Sequence, residues 1–124
     1  MKDPRPVNLN LLTIRFPIPA IISILHRITG VFLYFVIPLM LYGLQQSLNS
    51  EEKYAEIQNY FTQPVGKFLL WAFLAAFLYH FVAGFRHLLM DMRIGMDLRS
   101  GRISARIVAL VAFLLIALAG YYIW

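Results

Sequence analysis

His80, Gly84, His87 and Asp91 recur at offsets of 0, 4, 7 and 11 within an apolar stretch, with Arg86 among them. At about 100° per residue, those offsets put the four on one narrow stripe of a helix. A charge at bilayer depth costs about 2.5 to 3.5 kcal/mol on insertion scales, and polar residues placed there usually face a bundle interior, a cofactor or an ion pathway. A neutral imidazole in a dry slot is a good axial ligand for haem iron, and a glycine one turn away on the same face makes room for a flat macrocycle. His80 with Gly84 fits that need. Haem propionates are anionic and need cationic or hydrogen-bonding partners nearer the surface, which His26, Arg27, Arg86 and His87 are placed to supply. His80 and His87 cannot serve one iron, because they lie about 10 Å apart along the axis and face the same way. A second axial ligand must come from elsewhere.

The same residues carry plainer readings. His80 alone can be an interhelical hydrogen-bond donor, a common packing device in membranes. Arg86 and His87 can snorkel from a helix end, and Ser23 can bond a carbonyl of its own helix. Arg27 and Asp91 can form an ion pair, which would make the polar column structural. Phe73, Phe77, Phe81 and Phe85 recur at every fourth position and face lipid or neighbouring helices, with no function assigned.

Composition determines which elements hold these residues. The chain has 124 residues, 60% of them hydrophobic and 14% charged, with a mean hydropathy of +0.69. It is too apolar for a soluble domain of its size and too short for more than one. Three apolar stretches, about 20–44, 68–90 and 107–124, each supply the ~20 residues that a spanning helix needs. The expected fold is therefore all-α: one membrane domain, 1–124, with three transmembrane helices and a tail over 1–19. Pro17 and Pro19 suit a helix entry, whereas Pro38 predicts a kink. Residues 1–15 lack the apolar core of a cleavable signal peptide. The absence of cysteine excludes iron–sulfur ligation, attached c-type haem, thiol catalysis and disulfides within this chain.

Lysine and arginine asymmetry gives the expected orientation. Lys2, Arg5 and Arg15 lie in the tail and Arg93, Arg99, Arg102 and Arg106 in the second connection, while the first connection sets Glu51, Glu52 and Glu56 against Lys53. The positive-inside rule then makes the N-terminus and the arginine-rich connection cytoplasmic. Trp124 ends outside, beside Tyr121 and Tyr122, in an interfacial aromatic belt. The net charge of +5 is largely this bias, so no nucleic-acid partner is expected. Along the second helix His80 lies about 20 Å from Lys67 and about 16 Å from Asp91, deep in the hydrocarbon. Ser23, His26, Arg27, Thr29 and Gly30 come to a similar depth as Arg86 and His87 if the first two helices are antiparallel.

Taken together, Arg5-Pro6, the run Ser23-Ile24-Leu25-His26-Arg27-Ile28-Thr29-Gly30, and His80, Gly84, Arg86-His87 and Asp91 resemble the cytochrome b subunit of succinate dehydrogenase. The resemblance covers all three spans; Phe85 departs from it mildly, where the family more often looks aliphatic. It implies a membrane anchor in a helical bundle completed by a second small anchor subunit, with an iron–sulfur subunit and a flavoprotein subunit as further partners. His80 would ligate the iron of one b-type haem, opposite a histidine of the second anchor. His26 and Arg27 would approach the propionates, with Arg86 and His87 as further candidates, and Ser23 and Arg27 would line the ubiquinone site. Asp91 belongs to the pattern without a clear role. The chain would be a non-autonomous part of a succinate:ubiquinone oxidoreductase of the tricarboxylic acid cycle in a bacterial inner membrane, with the C-terminus periplasmic. The alternatives are a haem-free structural anchor of a fumarate reductase-like complex, which the buried His80 beside Gly84 argues against, and a small transporter, for which the inverted repeats typical of that class are missing.

Overall fold

In a bilayer every backbone N–H and C=O has to be satisfied within its own segment, so an apolar run of this length folds as a helix. The computed structural model describes Asn10 and residues 12–124; Lys2, Arg5 and Pro6 lie outside the described residues. The described chain is helical, with α1 over Ile18–Ser47, α2 over Glu51–Thr62, α3 over Pro64–Asp91 and α4 over Leu98–Ile123. Three of the four, α1, α3 and α4, are long and apolar enough to cross a membrane. The fold class is therefore the expected one.

The helix limits are wider than the apolar runs alone suggest, with prolines opening α1 and α3 and a side-chain cap opening α4. Pro17 and Pro19 open α1, which continues unbroken through Pro38. Pro64 opens α3 at a position where its missing N–H leaves no hydrogen bond unmade. The largest difference is at α4, which begins nine residues before the apolar run. There the Asp97 carboxylate accepts the Ser100 amide at 3.0 Å, so Arg99, Arg102 and Arg106 lie on the first turns of a helix rather than in a connection. The remaining link, 92–97, is short. Its start is a Schellman turn: the Arg93 amide donates to Met90 O at 2.9 Å and the Ile94 amide to Leu89 O at 3.0 Å. Arg93 takes the left-handed φ of 62° that this motif requires.

The polar first connection holds a helix of its own. Ser50 caps α2 by accepting the Lys53 amide at 3.2 Å, and Glu51 and Glu52 sit in its first turn, where the helix dipole favours negative charge. Lys53 reaches Glu56 at 2.9 Å across an exposed face. That contact holds the Glu56 carboxyl below its usual range and the Lys53 ammonium above its own.

Helices α1, α3 and α4 pack as an antiparallel up-down-up bundle. Tyr79 donates to Ile22 O at 2.9 Å between α3 and α1, and Trp71 donates to Ile116 O at 3.0 Å between α3 and α4. Small residues at the crossings, Ala83, Ala105 and Ala112, let the backbones come close. Among the described residues no large side chain is fully buried, while Tyr34, Phe35, Phe81, Phe113 and many others project outward. Such a surface calls for apolar surroundings, either lipid or other helices.

Candidate functional site

The antiparallel pairing of α1 and α3 brings His26, eight residues into α1, against the second half of α3. His26 stacks on His80 with ring centroids 4.0 Å apart and planes 13° from parallel, and on His87 at 4.7 Å and 17°. The three imidazoles form one column with His26 in the middle. Because the rings are stacked, their nitrogens do not surround a common point, and no group of three or more metal-ligating side chains occurs among the described residues.

The two outer rings are hydrogen-bonded through Nδ1. His87 Nδ1 lies 2.7 Å from Ala83 O, and His80 Nδ1 lies 3.0 Å from His26 O and 3.2 Å from Thr29 Oγ1. A carbonyl oxygen only accepts, so Nδ1 carries a proton on both rings, which in the neutral imidazole leaves Nε2 with its lone pair. Space for the column comes from two glycines. A Cβ on Gly30 would stand 2.9 Å from His80 Cε1, closer than real Cβ atoms come, and one on Gly84 would stand 3.2 Å from His26 Nε2. Gly84 therefore accommodates His26, while Gly30 accommodates His80.

An open groove of about 400 Å³ runs along this column, lined by His26, His80, Phe81, Gly84, Phe85, His87 and Leu88. Three of the four residues on the sequence stripe, His80, Gly84 and His87, line it. Asp91 does not: it is the exposed last residue of α3 and makes no ion pair with Arg27 among the described residues. A larger groove of about 690 Å³ lies at the other end of α1, against α2, and contains no histidine.

Arg86 points to the opposite side of α3. Six residues from His80 is 600° of rotation, or 120° away from the stripe. Its Nε donates to Ser104 Oγ at 2.9 Å and its Nη2 to Gly101 O at 3.1 Å, and only 5% of the residue is exposed. The guanidinium is satisfied by α4 and joins α3 to it. Ser23 and Arg27 occupy a third position. They lie one turn apart on α1, rotated from the His26 face toward the outside of the bundle; Ser23 is half-buried and Arg27 exposed, and neither is hydrogen-bonded within the described residues. A hydroxyl and a guanidinium are thus offered together to whatever covers that face.

These residues suit a haem. A single imidazole with Nδ1–H tied to a carbonyl and a free Nε2 is the donor that a haem iron takes from a protein, and the groove beside it is apolar and open on the outer side of the bundle. His26 and His87 line the same groove, and Arg27 is adjacent to His26 in the chain. Thr29 and Gly30, which the sequence places in the polar group of α1 without a role, are further contributors.

The family model described as succinate dehydrogenase/fumarate reductase transmembrane subunit matches residues 1–119. The chain is similar to the succinate dehydrogenase cytochrome b556 subunit of Coxiella burnetii, at 42% identity over 125 residues and the whole of both chains. It is also similar to the proteins of the same description from Rickettsia typhi, at 32% over 90% of this chain and 86% of that one, and Paracoccus denitrificans, at 32% over 87% and 82%. The chain belongs to the transmembrane-subunit family of succinate dehydrogenases and fumarate reductases.

Proposed function

We propose that this chain is the cytochrome b anchor of a bacterial succinate dehydrogenase, that it holds one b-type haem jointly with a second anchor subunit, and that it forms part of the ubiquinone-reducing site. The observation that carries the proposal is the state of His80: Nδ1–H is committed to His26 O at 3.0 Å, leaving Nε2 free beside an open apolar groove. His80 would be the axial ligand from this chain. Its own histidines cannot supply the other, since His26 stacks face to face with it and His87 lies two turns along the same helix. A histidine of the second anchor fits that vacancy.

When bound, the haem would supply a one-electron redox centre within the membrane. The polypeptide orients His80 and excludes water with Phe81, Phe85 and Leu88; His26, His87 and Arg27 meet the propionates. Arg86 serves instead as the tie between α3 and α4. At the quinone, Ser23 and Arg27 act together. A quinone under reduction gains negative charge on its carbonyl oxygens before protons arrive, and a hydroxyl and a guanidinium in a low-dielectric slot stabilise that charge as it develops. Electrons reach this layer from succinate through the flavoprotein and iron–sulfur subunits, since this chain has no cysteine to ligate a cluster.

The basic end of the bundle supports the orientation. Arg15 precedes α1, and Arg93, Arg99, Arg102 and Arg106 lie around the α3–α4 link at the same end, whereas Glu51, Glu52 and Glu56 lie at the other. With the basic end cytoplasmic and the aromatic end of α4 periplasmic, the histidine column lies toward the cytoplasm, where the soluble subunits dock. The test is a reduced-minus-oxidised spectrum of the intact purified complex. A b-type absorption pattern at one haem per complex is expected, and its absence would overturn the proposal.

A further inference from the structure

The hydrogen bonding around His80 involves a residue with no role so far. Thr29 Oγ1 lies 2.9 Å from Leu25 O and 3.0 Å from His26 O, so its own hydrogen is donated within α1. The same oxygen stands 3.2 Å from His80 Nδ1, which already donates to His26 O at 3.0 Å. With its hydrogen directed elsewhere, the hydroxyl faces the imidazole as an acceptor. The Nδ1 proton is therefore shared between two oxygens of one helical turn. The neighbouring Gly30 leaves the space that lets the ring approach this closely.

We infer that Thr29 is a positioning residue for His80: together with the His26 carbonyl it fixes the Nδ1-protonated tautomer and strengthens the donation of Nε2 to a bound iron. The inference rests on the haem reading above. Acceptors on the far nitrogen push an imidazole toward imidazolate character and raise its basicity as a ligand, and removing such a partner typically changes metal affinity by about 10- to 100-fold. A more basic ligand favours ferric over ferrous iron, so Thr29 holds the midpoint potential low. Threonine suits this better than serine, because its branched Cβ limits χ1 and keeps Oγ1 on the preceding carbonyls.

The test compares Thr29→Val, Thr29→Ala and Thr29→Ser in the intact complex, reading haem content, midpoint potential and the electron paramagnetic resonance of the ferric haem. Thr29→Val keeps the shape and removes the acceptor. The expected result is retained haem with a potential raised by about 59 mV, a tenfold change in the ferric-to-ferrous preference for a one-electron couple. Thr29→Ala should shift it in the same direction, and Thr29→Ser should restore most of the original value. If Thr29→Val does not assemble, Thr29→Ala against Thr29→Ser gives the same comparison. A haem whose potential and resonance ignore the loss of the hydroxyl overturns this inference alone. Absence of b-type absorption from the unaltered complex overturns the haem reading and this inference with it.

Discussion

His80 Nδ1 lies 3.0 Å from the backbone carbonyl of His26, a residue 54 positions earlier in the chain and on another helix. That bond crosses between two spans and fixes which nitrogen of His80 carries the proton, on a residue that lines the apolar groove. It depends on close approach, and close approach depends on what is missing from position 30.

Gly30→Ala should disturb the site more than Gly84→Ala. The new Cβ at position 30 would meet His80 Cε1 at 2.9 Å, against 3.2 Å between position 84 and the far end of His26. His80 is also confined by its hydrogen bonds, whereas the tip of His26 can rotate. We expect Gly30→Ala to lower haem content or shift its spectrum in an assembled complex, with a smaller change for Gly84→Ala. Equal and unchanged spectra in both would mean that the His80 ring yields freely.

Ser104→Ala should weaken the bundle without touching the haem. It removes the acceptor of the Arg86 Nε and leaves a donor unsatisfied on a residue only 5% exposed, a loss of about 1 to 3 kcal/mol. The expected outcome is a lower thermal midpoint for the complex with an unaltered haem spectrum. Loss of the haem signal would place Arg86 in the haem layer instead.

These two sites mark what a single sequence does and does not reveal. The stripe of His80, Gly84 and His87 was legible because helical periodicity depends only on spacing, and all three line the groove. The same 100° arithmetic, applied to Arg86, separates it from the stripe and directs it toward α4. Gly30 and Thr29 carry no comparable signal, since their importance arises from meeting His80 across an interface about 50 residues away in sequence. Helix α2 left a readable trace: Ser50 before Glu51-Glu52, then Tyr54, Ile57 and Phe61 at spacings of three and four. Its acidic residues made it read as a plain connection. The early start of α4 was obscured because arginines interrupt the apolar pattern, although Asp97 caps the helix there.

Asp97 also gives a pH dependence. Hydrogen bonding by Ser100, from its side chain first and then its amide, holds the carboxyl below its ordinary value of 3.8. A group with a lowered folded pKa contributes stability above its unfolded value and loses that contribution as pH falls through the folded one. The first turn of α4 should therefore keep its cap through neutral and mildly acidic pH and fray only below about 3.8. Hydrogen exchange at Ser100 and Gly101 in the complex, corrected for intrinsic rates, checks this. Asp97→Ala should show the frayed pattern at every pH, and protection indifferent to that substitution would contradict the capping role.

Arg27→Ala separates quinone chemistry from assembly. Removing one preorganised charge-stabilising donor characteristically costs about 10²- to 10³-fold in rate. Ubiquinone reduction by the complex should fall on that scale while succinate oxidation with an artificial acceptor stays near normal. Equal loss of both activities would point to misassembly.

The most direct test of the central claim is His80→Leu in the intact complex, read by reduced-minus-oxidised spectroscopy and redox titration. Leucine removes Nε2 and cannot ligate iron. The expected result is loss, or a gross change in spectrum and midpoint potential, of the b-type haem while the subunits still assemble. An unchanged spectrum with an unchanged potential would contradict it and require the axial ligand to come from another residue.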